Sequence, residues 1–117
     1  MVTLGDKRLR RATTRSAMNE TYEEWPELAK AVNCAGRKLR GQYGNTIPRR
    51  AIVKDVARAG RRKEGSVMPS DYCYNRKNKG SSNRWNVFLW HSVGLYEYVG
   101  PKYHYTGFII EEPRGGK

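Results

Sequence analysis

Trp25, Leu28, Ala29, Val32, Ala35 and Leu39 recur at near-helical spacing and predict an α-helix with one apolar stripe. The helix is expected to begin near Thr21, since Glu23, Glu24 and Glu27 suit the positive end of a helix dipole. Pro26 is tolerated in a first turn, and the run GQYGN at 41–45 ends the element. Ile52, Val53 and Val56 form the inner face of a second predicted helix, with Thr46 as its cap, Pro48 in its first turn and Gly60 as its stop. Arg49, Arg50, Lys54 and Arg58 then fall on its solvent side.

The stretch from Ser66 to Gly80 reads as a third helix. Pro69 supplies a helix-ready backbone angle, and Ser66 or Ser70 can cap. Only Tyr72, Cys73 and Tyr74 offer bulk for packing, which leaves Ser70, Asn75, Arg76, Asn78 and Lys79 as outward donors. An ordinary surface helix favours Ala and Glu/Lys pairs. Amides and tyrosines cost helix stability here, so a function is the expected reason for them. After the loop GSSN, the pattern changes to alternation. Asn86 to Ser92 and Leu95 to Val99 predict two strands, with Val93-Gly94 as the tight turn of an antiparallel hairpin. One hairpin face would carry some of Phe88, Trp90, Tyr96 and Tyr98, and the other Leu89, Leu95 and Val99. Tyr103 to Ile110 reads as a weaker strand or a docking segment.

Residues 1–19 hold Lys7, Arg8, Arg10, Arg11 and Arg15 with few large apolar groups, and read as a flexible basic arm. The folded domain is expected over 20–110, and 111–117 as a flexible polar tail. A chain of 117 residues with 38% hydrophobic content builds one domain with a small core. Its net charge of +12 is concentrated rather than spread. Between Arg37 and Arg84 stand 14 Lys and Arg against three acids, Asp55, Glu64 and Asp71. Such a block attracts phosphate polymers and releases their counterions on binding.

Cys34 and Cys73 form no CxxC motif, and no apolar run reaches membrane-spanning length. The expectation is a cytoplasmic protein with reduced cysteines, no membrane partner, no cofactor and no metal. The spacing of Cys34, Cys73, His91 and His104 matches no zinc signature. Phosphate-cradling GxxxxGKS/T, GxGxxG and HExxH are absent from the sequence, so an enzyme is not expected. His91 and His104 as the acid–base pair of a metal-independent ribonuclease is the weaker reading, because lone histidines on short strands more often pack or hydrogen-bond.

The run Phe88 to Gly100, FLWHSVGLYEYVG, resembles the closing hairpin of small winged helix-turn-helix modules. Such modules are appended to, or encoded near, bacterial restriction endonucleases and occur in uncharacterised phage proteins. The word PSDYCYN at 69–75 is similar to part of a prokaryotic family of this kind. The resemblance implies an α+β winged helix-turn-helix, with three helices and a short antiparallel hairpin wing, that recognises DNA in phage or defence biology. It supplies no catalytic residue. Where such modules carry a basic residue before the GLY word, this chain has His91, Ser92 and Val93, so its wing is short and weakly cationic.

On this reading the protein binds double-stranded DNA in a sequence- or modification-sensitive way. Ser70, Asn75, Arg76 and Asn78 would face bases, while Arg49, Arg50, Arg61, Arg62, Lys63, Lys77, Lys79 and Arg84 would hold phosphates. Two alternatives use the same cations: an RNA- or ribosome-associated protein, and a phage-type inhibitor or adaptor set against an acidic protein surface.

Overall fold

The structure, a computed structural model, describes residues 8–11, 21–81 and 83–111. Helix α1 spans Glu27–Tyr43 and helix α2 Arg49–Gly60. Among the described residues six strands accompany them: β1 Arg8–Arg11, β2 Ile47–Pro48, β3 Arg76–Lys77, β4 Phe88–Ser92, β5 Leu95–Tyr98 and β6 Phe108–Glu111. The architecture is α+β.

Helix α1 buries Ala29, Val32, Ala35 and Leu39, the expected stripe, and adds Asn33 and Gly36. It begins later than Thr21 because residues preceding a proline are held extended. Trp25, at ψ 147°, therefore separates a 3-10 turn at Tyr22–Glu24 from the helix proper. Gly44, with φ +74°, ends the helix and donates its N–H to the Arg40 carbonyl at 2.8 Å. Helix α2 buries Ile52, Val53, Val56 and Ala57. Thr46 makes no side-chain cap; instead Ile47 and Pro48 form β2 against Tyr96 and Leu95 of β5. The Arg49 N–H, an orphan of the first helical turn, donates to the Gly94 carbonyl at 2.8 Å. The hairpin turn thus sits on the amino end of α2.

The hairpin forms as the alternation predicts. Phe88 pairs with Tyr98, Leu89 with Glu97 and Trp90 with Tyr96, with a bulge before Ser92. Gly94 turns it at φ +79°. Phe88, Tyr96 and Tyr98 face the core, where the Phe88 ring lies 5.8 Å from Tyr96 and 6.2 Å from Tyr98 between centroids. Trp90 packs partly against the same cluster. Close approach of α1 to this face depends on Gly36. A Cβ there would lie 2.4 Å from Tyr98 Cδ1 and 3.0 Å from Phe88 Cε1. The Tyr98 hydroxyl meanwhile donates to the buried Asn33 Oδ1 at 2.7 Å.

Residues 66–80 do not form the expected third helix. Glu64–Ser66 and Pro69–Tyr72 are separate 3-10 turns, and the chain then runs extended into β3. The reason lies in the edge of β4, whose free backbone groups need a partner. Cys73 bridges Phe88 in parallel, and the Tyr74 N–H donates to the Phe88 carbonyl at 2.9 Å. On its other side this segment reaches β6: the Asn75 carbonyl accepts from the Ile110 N–H at 2.9 Å, and β3 runs parallel to β6. Residues 73–77 therefore splice the sheet β2-β5-β4 to the sheet β1-β6-β3. Cys73 and Tyr74 are fully buried, and the Tyr74 hydroxyl donates to the Gly100 carbonyl at 2.7 Å. Residues poor in helix propensity are released to this extended path at little cost.

Of the predicted basic arm, residues 8–11 form β1, antiparallel to β6 with Arg8 opposite Glu111. The rest of residues 1–19, and the predicted tail beyond Glu111, lie outside the described residues.

Candidate nucleic-acid interface

The polar side chains expected to read bases are turned to other work. Asn75 acts as a surrogate strand for Trp90: its Nδ2 donates to the Trp90 carbonyl at 2.7 Å, and its Oδ1 accepts the Trp90 N–H at 2.8 Å. Asn78 Nδ2 donates to Ser70 Oγ at 2.7 Å and to Asp71 Oδ1 at 2.8 Å. Its Oδ1 accepts from Arg76 Nε at 3.3 Å, while the Arg76 guanidinium stacks 4.9 Å from the Trp90 ring centroid. Beneath them lies Asn83, only 4% exposed and at φ +46°. Its Nδ2 is shared among the carbonyls of Ser70 (3.0 Å), Cys73 (3.3 Å) and Arg76 (2.8 Å). Its Oδ1 accepts the Asn78 N–H at 3.2 Å.

Ser70, Asn75, Arg76 and Asn78 are thus brought together, but as the internal bonding of an irregular segment. A loop that leaves helix and sheet ladders must satisfy its backbone groups by other means, and short amides do this well. Polarity here marks bonds turned inward. No recognition helix presents these groups.

The cations separate by position. Arg49, Arg50, Arg61, Lys63, Lys79 and Arg84 are exposed, whereas Arg62 and Lys77 are half-buried, Lys77 through a bond to the Ser81 carbonyl. Lys54 and Arg58, outside the predicted phosphate set, complete an exposed row on α2: Arg50, Lys54 and Arg58 at four-residue spacing, then Arg61. At 1.5 Å rise per residue, Arg50 to Arg58 spans about 12 Å. Like charges four apart repel along the row, while the carboxyl end of the helix dipole favours Arg58 and Arg61. Asp55 turns away toward α1, where it pairs with Lys38. Among the described residues no carboxylate is paired with Arg50, Lys54, Arg58 or Arg61. The four-residue spacing was visible in the sequence; what was missed is that Asp55 is turned away from it toward Lys38.

Elsewhere the Arg84 guanidinium lies 4.9 Å from the Trp85 ring, which in turn lies 5.3 Å from Trp25. His91 Nε2 is 2.9 Å from Glu97 Oε1 on the outer hairpin face. Burial pushes the phenols of Tyr72 and Tyr96 up to about 12, with Asp71 adding to the effect on Tyr72 and Cys73 to that on Tyr96. Among the described residues no three His, Cys, Asp or Glu side chains converge as metal ligands, and no helix is long and apolar enough to cross a membrane.

Fold and surface together describe a small basic α+β protein with one helical face given over to cations. The chain belongs to the family of the domain of unknown function DUF7225, whose model matches residues 32–117. It is also similar to the uncharacterized protein YnaC of Bacillus subtilis (strain 168), at 30% identity over 77 residues. That match covers 66% of this chain and 29% of YnaC, so the chain spans less than a third of that relative's length. No solved structure matches the chain.

Proposed function

We propose that this protein binds double-stranded DNA chiefly through its phosphates, with the exposed row on α2 as the main contact. The observation that carries this reading is the exposed run Arg50, Lys54, Arg58 and Arg61, none of which has a carboxylate partner among the described residues, while Asp55 is turned toward Lys38 of α1. The finer architecture we propose is a reduced winged helix: α1 and α2 form the helical pair and β4–β5 the wing, with no third helix between them. Because the amides of 70–83 are committed internally, sequence preference is expected to be weak and to come from DNA shape more than from base edges.

Binding to a random-sequence duplex, titrated with salt, tests the proposal. Neutralising about four phosphates gives a slope of about −3.6 in log K against log[salt]. Replacing Arg50, Lys54 and Arg58 together by Gln should flatten the slope by about 2.7. Absence of duplex binding at low salt, or an unchanged slope in the triple variant, overturns the reading. Single-stranded RNA that outcompetes duplex DNA would favour the RNA-associated alternative, and a nuclease-resistant complex with an acidic protein would favour the adaptor.

A further inference from the structure

Where α2 ends, its cations stop forming a row and close around a cleft. Lys54, Ala57, Arg58, Arg62 and Glu64 line a recess of about 350 Å³. Three cations against one carboxylate leave it with a double positive charge, and among the described residues none of these four side chains has an ion-pair partner.

Arg62 is placed there by the backbone. Arg61 adopts the left-handed conformation at φ 52°, and the Arg62 N–H folds back to the Ala57 carbonyl at 3.0 Å. The side chain then lies over Gly60: a Cβ on Gly60 would come within 2.6 Å of Arg62 Nε and 2.8 Å of Nη2. Arg62 Nε is buried without a hydrogen-bond partner. That nitrogen is closed off over Gly60, so an anion in the recess meets the rest of the guanidinium, whose planar fork suits a multi-oxygen anion. Carbonyls at a helix carboxyl end normally repel anions, but here those of Ala57 and Arg58 are engaged by the N–H groups of Arg62 and Arg61.

We propose that this cleft is a binding site for a phosphate monoester, the terminal phosphate of a nucleic-acid strand. A dianion matches the double positive charge, whereas an internal diester brings a single negative charge. Glu64 repels a phosphate oxygen, so the phosphate is expected to sit toward Lys54, Arg58 and Arg62. The identification of the ligand as a strand end rests on the DNA-binding reading above.

Three otherwise identical duplexes, ended by 5′-phosphate, 3′-phosphate or hydroxyl only, separate the two claims. Affinity for the hydroxyl-ended duplex tests DNA binding alone; the ratio between phosphorylated and hydroxyl-ended duplexes tests the cleft. A preference of about tenfold for either phosphorylated end is expected. It should vanish in Arg62→Gln and in Gly60→Ala, the second of which displaces the guanidinium while leaving every charge in place. Equal affinity for all three duplexes, or a preference that survives either substitution, overturns the proposal. Should no duplex bind, inorganic phosphate followed by amide NMR still decides it. Saturable shifts confined to residues 54–64 support the site, and no saturable shift removes it.

Discussion

Two glycines on α1 should respond to the same substitution with opposite sign. Gly36→Ala places a methyl 2.4 Å from Tyr98 Cδ1 and 3.0 Å from Phe88 Cε1. Overpacking of this kind costs about 1–3 kcal/mol. Tyr98 cannot swing aside freely, because its hydroxyl is donated to the buried Asn33 Oδ1. Breaking that bond would leave Asn33 unsatisfied at a cost of about 1–3 kcal/mol. Against either route stands the helix propensity of Ala over Gly, about 1 kcal/mol. The net expectation is destabilisation by about 1 kcal/mol, or a fall in Tm of roughly 5 °C. Gly41, on the same helix and exposed, has nothing within 4 Å of a new Cβ. Gly41→Ala should therefore stabilise by about 0.5–1 kcal/mol. Urea denaturation of both variants, with slopes compared to wild type, reads the difference. If Gly36→Ala proves neutral or stabilising, α1 does not meet the hairpin at this distance and the packing argument fails.

Two further outcomes follow from the internal bonds and a third from buried tyrosines. Asn75→Ala removes both bonds to Trp90 and should cost about 1–3 kcal/mol in denaturation; a fully stable variant with altered base preference would restore Asn75 as a base reader. Tyr98→Phe leaves Asn33 Oδ1 buried without its donor and should cost about 1–2 kcal/mol, whereas an unchanged unfolding midpoint would show that Asn33 finds another partner. Tyr72 and Tyr96 are raised from 10.0 to about 12, so burial favours their neutral phenols in the folded state. The stability they contribute is complete below about pH 10 and is lost as pH rises toward 12. Melting across that range, alongside ultraviolet titration of tyrosinate, should show this decline; two tyrosines ionising normally in the folded protein would contradict it.

Much of the frame was legible from local pattern. The stripe on α1, the inner face of α2 and the aromatic face of the hairpin follow from periods of 3.6 and 2, and Val93-Gly94 from turn chemistry. Errors at helix starts were small in extent but not local in cause: Ile47 and Pro48 were drawn into β2 by pairing with Tyr96 and Leu95 of β5. The candidate interface was legible only in part. Arg50, Lys54 and Arg58 share a face because helical spacing makes them do so. Placement of Arg62 over Gly60 required the left-handed turn at Arg61, where the sequence offers no glycine.

Segment 66–80 marks the boundary between the two kinds of information. By itself the sequence determined that this stretch is polar, tyrosine-bearing and flanked by cations. Whether those amides point to solvent or into the protein depended on β4 and β6, strands that lie later in the chain. Periodicity encodes which face of an element is apolar, because that is a property of neighbouring residues. It does not encode which distant edge lacks a hydrogen-bond partner. That unmet edge, closed by Cys73, Tyr74 and the Asn75 amide, is what made an expected helix into a splice between two sheets.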